Sequence, residues 1–168
     1  IIIHNMGVVM AKKKVTAIRR EEIVGAAFTL MSSQGVRSMT IERIASIVGI
    51  VPSAVYRHFA NKSEIIAAVL TMIVERMQRN IDEVTKETDN SLNAIRKLLM
   101  RQIQLVKEFM VIPHILFSEE VYRESPALKA KLHDLINDFL DALAEVIEKG
   151  QRQGCIRADL EPFRVATM

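Results

Sequence analysis

Thr40, Tyr56, Arg57, His58 and Lys62 lie close together in the chain and present a hydroxyl, a phenol, a guanidinium, an imidazole and an ammonium. Such groups donate hydrogen bonds, and the guanidinium and the ammonium, being cationic, favour an anion. Thr40 sits where a helix N-cap belongs, so its hydroxyl and the free N–H groups beside it can meet a phosphate. Lys62 offers the same group a full charge. Bond-making chemistry has no comparable pattern. There is no glycine-rich phosphate loop, no H-E-x-x-H, no nucleophile elbow and, with Cys155 as the single cysteine, no paired-thiol site. The four histidines are scattered over the sequence, so no enzyme, cofactor or metal site is expected.

The segments that position these groups read as helices throughout, because apolar side chains recur at steps of three and four instead of alternating. The fold class is therefore all-α. The periodicity predicts a first helix from about Ala17 to Gln34, with Ile23, Ala26, Ala27 and Leu30 on one face and Gly35 as its left-handed stop; Thr16 is a weak cap. Thr40 opens a second, with Glu42 in its first turn and Ile41, Ile44, Ala45 and Val48 inward, ending at Gly49. Pro52, at a first-turn position, starts a short third helix that runs to Phe59. Two short helices about a glycine-containing turn make a helix-turn-helix.

Farther along, a long helix is predicted from Lys62 to about Thr85 and another from a Ser91 cap. A short separate one is expected around Pro113, and a long one from Ser125-Pro126 to Gly150 and Gly154. Pro162 opens a last apolar segment of barely two turns, which reads as a helix cut off at the C-terminal end; the start at Ile1 reads as trimming at the other.

Charge separates the two ends of the chain. Residues 1–62 hold nine Lys/Arg against three Asp/Glu, whereas the remainder holds 14 against 17. A basic N-terminal third on a mildly acidic body suits a protein that meets a polyanion at one end. The lone cysteine gives no sign of an oxidising compartment. The apolar run Ile1–Met10 is too short to span a bilayer, so a cytoplasmic setting without a membrane partner is expected.

From about residue 16 to 70 the sequence resembles the DNA-binding domain of the tetracycline-repressor (TetR) family. The spacing from Thr40 through Ile44-Ala45, Gly49 and Tyr56-x-His58-Phe59 to Lys62 fits that family without a gap. The resemblance implies that Tyr56, Arg57 and His58 clamp phosphates. It also implies a homodimer, double-stranded operator DNA as partner, and a repressor released by a small-molecule effector. Base reading is expected at the start of the third helix, at Pro52, Ser53 and Ala54. One hydroxyl and a methyl favour thymine-methyl contact and shape over bidentate hydrogen bonding. Three positions depart from the family: Val51 replaces a polar cap, Ser53 a frequent glycine, and Glu42 stands where a basic base-contacting residue can occur.

A DNA-binding domain is accordingly expected over 11–62 and a helical domain for ligand binding and dimerisation over 63–168. Met72, Met77, Phe109, His114, Phe117 and Phe139 are the candidates to line an effector cavity, which suits an apolar or amphipathic molecule. His114 draws attention because it stands inside the apolar run Met110–Phe117, where a polar ring needs a partner.

Overall fold

A computed structural model describes residues 2–108 and 126–168 of the chain; for residues 2–17, 102, 104–108 and 127–128 it describes the backbone course alone. The elements are α1 (Ile2–Gln34), a 3₁₀ turn (Val36–Ser38), α2 (Ile41–Val48), α3 (Pro52–Tyr56), α4 (Lys62–Glu87), α5 (Ser91–Glu108), α6 (Pro126–Arg152) and α7 (Pro162–Ala166). Among the described residues there is no strand. They divide into two compact units, one up to Val69 and one from Leu70 onward. The helix expected around Pro113 lies outside the described residues.

In the first unit, α1 begins at Ile2 instead of near Ala17. No proline interrupts the segment, and Ala11 and Lys12–Lys14 favour a helix, so the weak Thr16 cap is overrun. Ile23, Ala27 and Met31 of α1 are fully buried, together with Met39, Ile44 of α2, Val55 of α3 and Ile65 and Val69 of α4. Burying one such side chain contributes about 1.5–3 kcal/mol, so this core is what holds the short helices in place.

The connections are fixed by polar contacts at the helix ends. Gly35 takes φ 81° after α1, and Gly49 takes φ 73° as the left-handed cap of α2, its N–H bonding the Ala45 carbonyl. A side chain is strained at either position. Arg43 reaches back from α2 to the Ser38 carbonyl at 3.0 Å and to Gln34 Oε1 at 2.8 Å, closing the α1–α2 corner. At the head of α4, Asn61 Oδ1 accepts from the Glu64 N–H at 2.9 Å, while Glu64 Oε2 accepts from the Ala60 N–H at 2.9 Å. Two donors at the helix start are thereby satisfied reciprocally.

The second unit is built on Ile81 and Val84 of α4, Ala94 and Leu98 of α5 and Val146 of α6, with Ile95, Phe139, Ala142 and Leu143 packed against them. Across the α4–α5 corner Arg101 donates to Asn80 Oδ1 at 2.9 Å and Glu87 Oε1 at 2.7 Å, and Lys97 to Glu87 Oε2 at 3.0 Å. Hydrogen bonds from Lys97 and Arg101 hold the Glu87 carboxyl below its ordinary pKa.

The cap of α5 differs from the expectation. Asn90, not Ser91, accepts the Asn93 N–H, at 3.0 Å. Both residue types cap well, and tertiary contact decides between them. The Ser91 N–H bonds Gln153 Oε1 at 2.9 Å, and Gln153 Nε2 donates to the Asp89 carbonyl, so the end of α6 is stitched to the α4–α5 turn. Ser91 is 2% exposed. Helix α6 also runs on through Gly150, a residue expected near its end, and stops after Arg152, with Gly154 at φ 70°. A Cβ at Gly150 would lie 2.4 Å from Ile156 Cδ1 and 3.1 Å from Ser91 Cβ, so the missing side chain makes room for the returning chain.

Two glycines should therefore respond with opposite signs. Gly150→Ala should destabilise the protein by about 1–3 kcal/mol through overpacking. Gly25→Ala, mid-helix with nothing within 4 Å of the added carbon, should stabilise it by about 0.5–1 kcal/mol. Urea unfolding of both variants checks the pair, and equal effects would contradict this packing.

Candidate DNA-binding interface

The surface of the helix-turn-helix follows from what α2 and α3 turn inward. On α2, Ile41, Ile44 and Ala45 are buried, which leaves Glu42, Arg43, Ser46 and Ile47 outward. Thr40 is exposed in extended backbone and accepts the Arg43 N–H on its Oγ1 at 3.3 Å, so it is the N-cap that its position predicts. Its hydroxyl remains at the surface beside the first turn of α2, where N–H groups and the helix dipole favour an anion.

Helix α3 has five residues. Pro52 and Ser53 are exposed at its start, Val55 is fully buried, and Tyr56 is 55% exposed at its end. Ala54, expected among the base readers, is only 7% exposed. It falls on the same inward side of the short helix as Val55 and packs into the domain, so Pro52 and Ser53 remain as the outward residues of the helix start. Val51, at the N-cap, is 61% exposed and makes no side-chain cap bond. The sequence marks it as a departure, and the structure adds that its apolar side chain stands in solvent.

Just past α3 come Arg57, exposed at the C-cap, His58, half-buried, and Phe59, buried. Lys62, half-buried, is the first residue of α4. The candidates Thr40, Pro52, Ser53, Tyr56, Arg57, His58 and Lys62 thus all belong to one compact unit, and apart from Ala54 each keeps accessible surface. Sequence reading passed over Arg20. Its Nη1 donates to the His58 carbonyl at 2.9 Å, and its guanidinium lies 4.1 Å from the Phe59 ring centroid. A separation of 38 residues leaves no local signal from which that contact could be read.

Of the expected effector-lining residues, Met72, Met77 and Phe139 are half-buried. Phe139 packs on the cluster of Ile81, Val84, Ala94, Leu98 and Val146. Phe109, His114 and Phe117 lie outside the described residues. A cleft of about 600 Å³ in the second unit is lined by Thr88, Asn93, Arg96, Lys97, Met100 and Arg101 along with Glu87, a more polar lining than the apolar cavity expected. No described helix is long and apolar enough to cross a membrane.

A helix-turn-helix whose outward face carries hydroxyl, ring and cationic groups, followed by a separate helical unit, defines a DNA-binding regulator. Comparison with known proteins makes the class specific. Residues 23–69 match the model for bacterial regulatory proteins of the tetR family, and residues 67–168 match the C-terminal region of YsiA-like protein. The chain belongs to the TetR family of transcriptional regulators.

Among its relatives is the nucleoid occlusion factor SlmA of Vibrio cholerae serotype O1, 27% identical over 138 residues, which cover 81% of this chain and 70% of the relative. A crystal structure from Rhodococcus sp., assigned to the TetR-family transcriptional regulators, superimposes with a TM-score of 0.74 at 24% identity, covering 88% of this chain and 79% of that one. The structure of AibR in complex with isovaleryl coenzyme A and operator DNA gives a TM-score of 0.69 at 20% identity, over 89% of this chain and 80% of that one. At these identities the two structures speak to the fold, which they share.

Removing the cap of α2 tests the local geometry. Thr40→Ala should cost about 0.5–2 kcal/mol of unfolding free energy, and Thr40→Ser should keep most of it. Denaturant unfolding separates the two, and a Thr40→Ala variant as stable as the parent would show that the cap bond contributes nothing.

Proposed function

We propose that the chain is a ligand-responsive repressor that binds a palindromic operator as a homodimer and is released by a small amphipathic effector. The observation that carries this reading is the outward set on the short α3 and its flanks. Pro52 and Ser53 stand at the helix start, Tyr56 and Arg57 at its end, and Thr40 and Lys62 at the heads of α2 and α4. Pro52 and Ser53 meet base edges, where thymine methyls suit the scarcity of hydrogen-bonding groups. Thr40, Tyr56, Arg57, His58 and Lys62 hold phosphates and fix the register. One such head reads only a few base pairs, so two heads on half-sites about 34 Å apart provide the specificity. In this reading residues 11–62 are the DNA-binding part, and 63–168 hold the effector and the dimer contact.

The effector is proposed to be an acyl thioester of coenzyme A. The likeness to AibR, whose structure contains isovaleryl coenzyme A, supports that class. Soft apolar side chains at Met72 and Met77 suit an acyl chain. Both stand on α4, the helix that begins with Lys62, so a ligand packed beside Met77 acts on the same element that touches DNA. A coupling of about 1–3 kcal/mol changes operator affinity 5- to 150-fold, within reach of one apolar contact. The kinship with SlmA favours a second reading, a DNA-bound nucleoid occlusion factor that answers to no acyl thioester.

Selection from a randomised duplex pool should return an inverted repeat. On that duplex, Lys62→Ala should weaken all sequences about equally and make the log-affinity against log-salt slope about one unit shallower. An unchanged slope would remove Lys62 from the phosphate contacts. A series of acyl-CoA thioesters should raise Tm and release the selected duplex, with free coenzyme A doing neither. If the duplex binds and no acyl-CoA shifts Tm, the effector class is wrong and the second reading gains.

A further inference from the structure

We infer that Arg20, on α1, is a positioning residue for DNA binding that holds the segment Tyr56–His58 in its contacting pose. The inference rests on the DNA-binding reading above and names a residue to which that reading gave no role.

The need for such a residue follows from the size of α3. Its five residues are too few to stay helical on their own, and the chain leaves it immediately after Tyr56. The His58 and Phe59 N–H groups both return to the Val55 carbonyl, at 2.9 and 3.1 Å. The carbonyls at the end of α3 lie beyond the helix's own donors and need partners from elsewhere. Val55 and Phe59, 0% and 1% exposed, anchor the segment on either side. Between those anchors the chain carries Tyr56, Arg57 and His58, the side chains meant to meet phosphate.

Arg20 supplies the missing hold. Its guanidinium donates to the His58 carbonyl at 2.9 Å, a charge-assisted bond in the turn that follows the C-cap of α3, close to the negative end of the helix dipole. The same planar group lies 4.1 Å from the centroid of the Phe59 ring, within the range of a cation–π contact. One side chain therefore grips two consecutive residues, one through the backbone and one through the ring. A planar fork can do both at once, which a lysine ammonium cannot. Neighbouring Arg19 is tied to Glu22 on its own helix at 2.8 Å. Because α1 is packed into the domain core through Ile23, Ala27 and Met31, the grip ties the contacting segment to the buried core of the unit.

The test uses the full chain with the variants Arg20→Met, Arg20→Lys and His58→Ala, and a duplex selected from a randomised pool. Arg20→Met should lower affinity for that duplex roughly tenfold, as expected when one charge-assisted bond ceases to hold a contact segment. The salt slope should stay that of the parent, because no phosphate contact is removed. In the His58→Ala background the same change should cost clearly less, since the side chain being positioned is gone. Without DNA, the amides of residues 57–60 should exchange faster in Arg20→Met while those of Ile44 and Ala45 stay as protected as in the parent. Arg20→Lys should fall between the two, and it provides the measurement if Arg20→Met does not fold.

A slope about one unit shallower would overturn the inference by making Arg20 itself a phosphate contact. Full additivity with His58→Ala, or a fall in Tm with affinity unchanged, would overturn it by reducing Arg20 to a general stabiliser. A parent chain that bound no duplex would sink the DNA-binding reading instead, and the exchange of residues 57–60 would still decide whether Arg20 holds that segment.

Discussion

Helix α3, the second helix of the helix-turn-helix, is too short to exist without tertiary support. A nucleus of one turn fixes several dihedral angles for a single hydrogen bond, so five isolated residues are unstable as a helix in water. Everything around α3 supplies what it lacks. Gly49 ends α2 with a left-handed residue, Pro52 presets the first helical φ, and Val55 and Phe59 fix the inward side in the core. The outward side is then determined by elimination. Residues that do not reach the core stand in solvent, and those are Pro52, Ser53, Tyr56 and Arg57.

The same division between inward apolar and outward polar groups explains why the outward face of α3 is chemically sparse. A short helix half of which must be core has few positions left for base reading. In the proposed reading, phosphate contacts are therefore drawn from neighbouring elements, from Thr40 at the head of α2 and Lys62 at the head of α4. Helix starts suit that role because the helix dipole presents its positive end there. The basic surplus of the first 62 residues adds a field that favours DNA whatever its sequence. On that reading, specificity and affinity rest on different residues.

In the second unit, corners are fastened more than surfaces are decorated. Arg101 and Lys97 gather on Glu87 at the α4–α5 corner, and Gln153 binds the turn before α5 to the end of α6. Exposed ion pairs of this kind contribute little individually. Their effect lies in fixing which helix ends meet, while the cluster around Val84 and Leu98 provides the stability. Leu99, Met100 and Ile103 on α5 remain exposed, an apolar stripe that this unit does not cover with its described residues.

The sequence by itself determined the all-helical class, the starts at Thr40, Pro52 and Lys62, the stops at Gly35 and Gly49, and the helix-turn-helix that carries the family resemblance. Each of these depends on residues within about one helical turn of one another, and such interactions are written locally. Only the tertiary structure decided that Ala54 faces inward, that Asn90 takes the cap expected of Ser91, that α6 passes through Gly150, and that Arg20 meets His58. Those outcomes join positions 38 to 64 residues apart or turn on which side of a short helix the core lies. Periodicity names the faces of a helix. Which polar groups meet across the chain is settled by packing, where a buried donor or acceptor must find its partner among whatever the fold brings near.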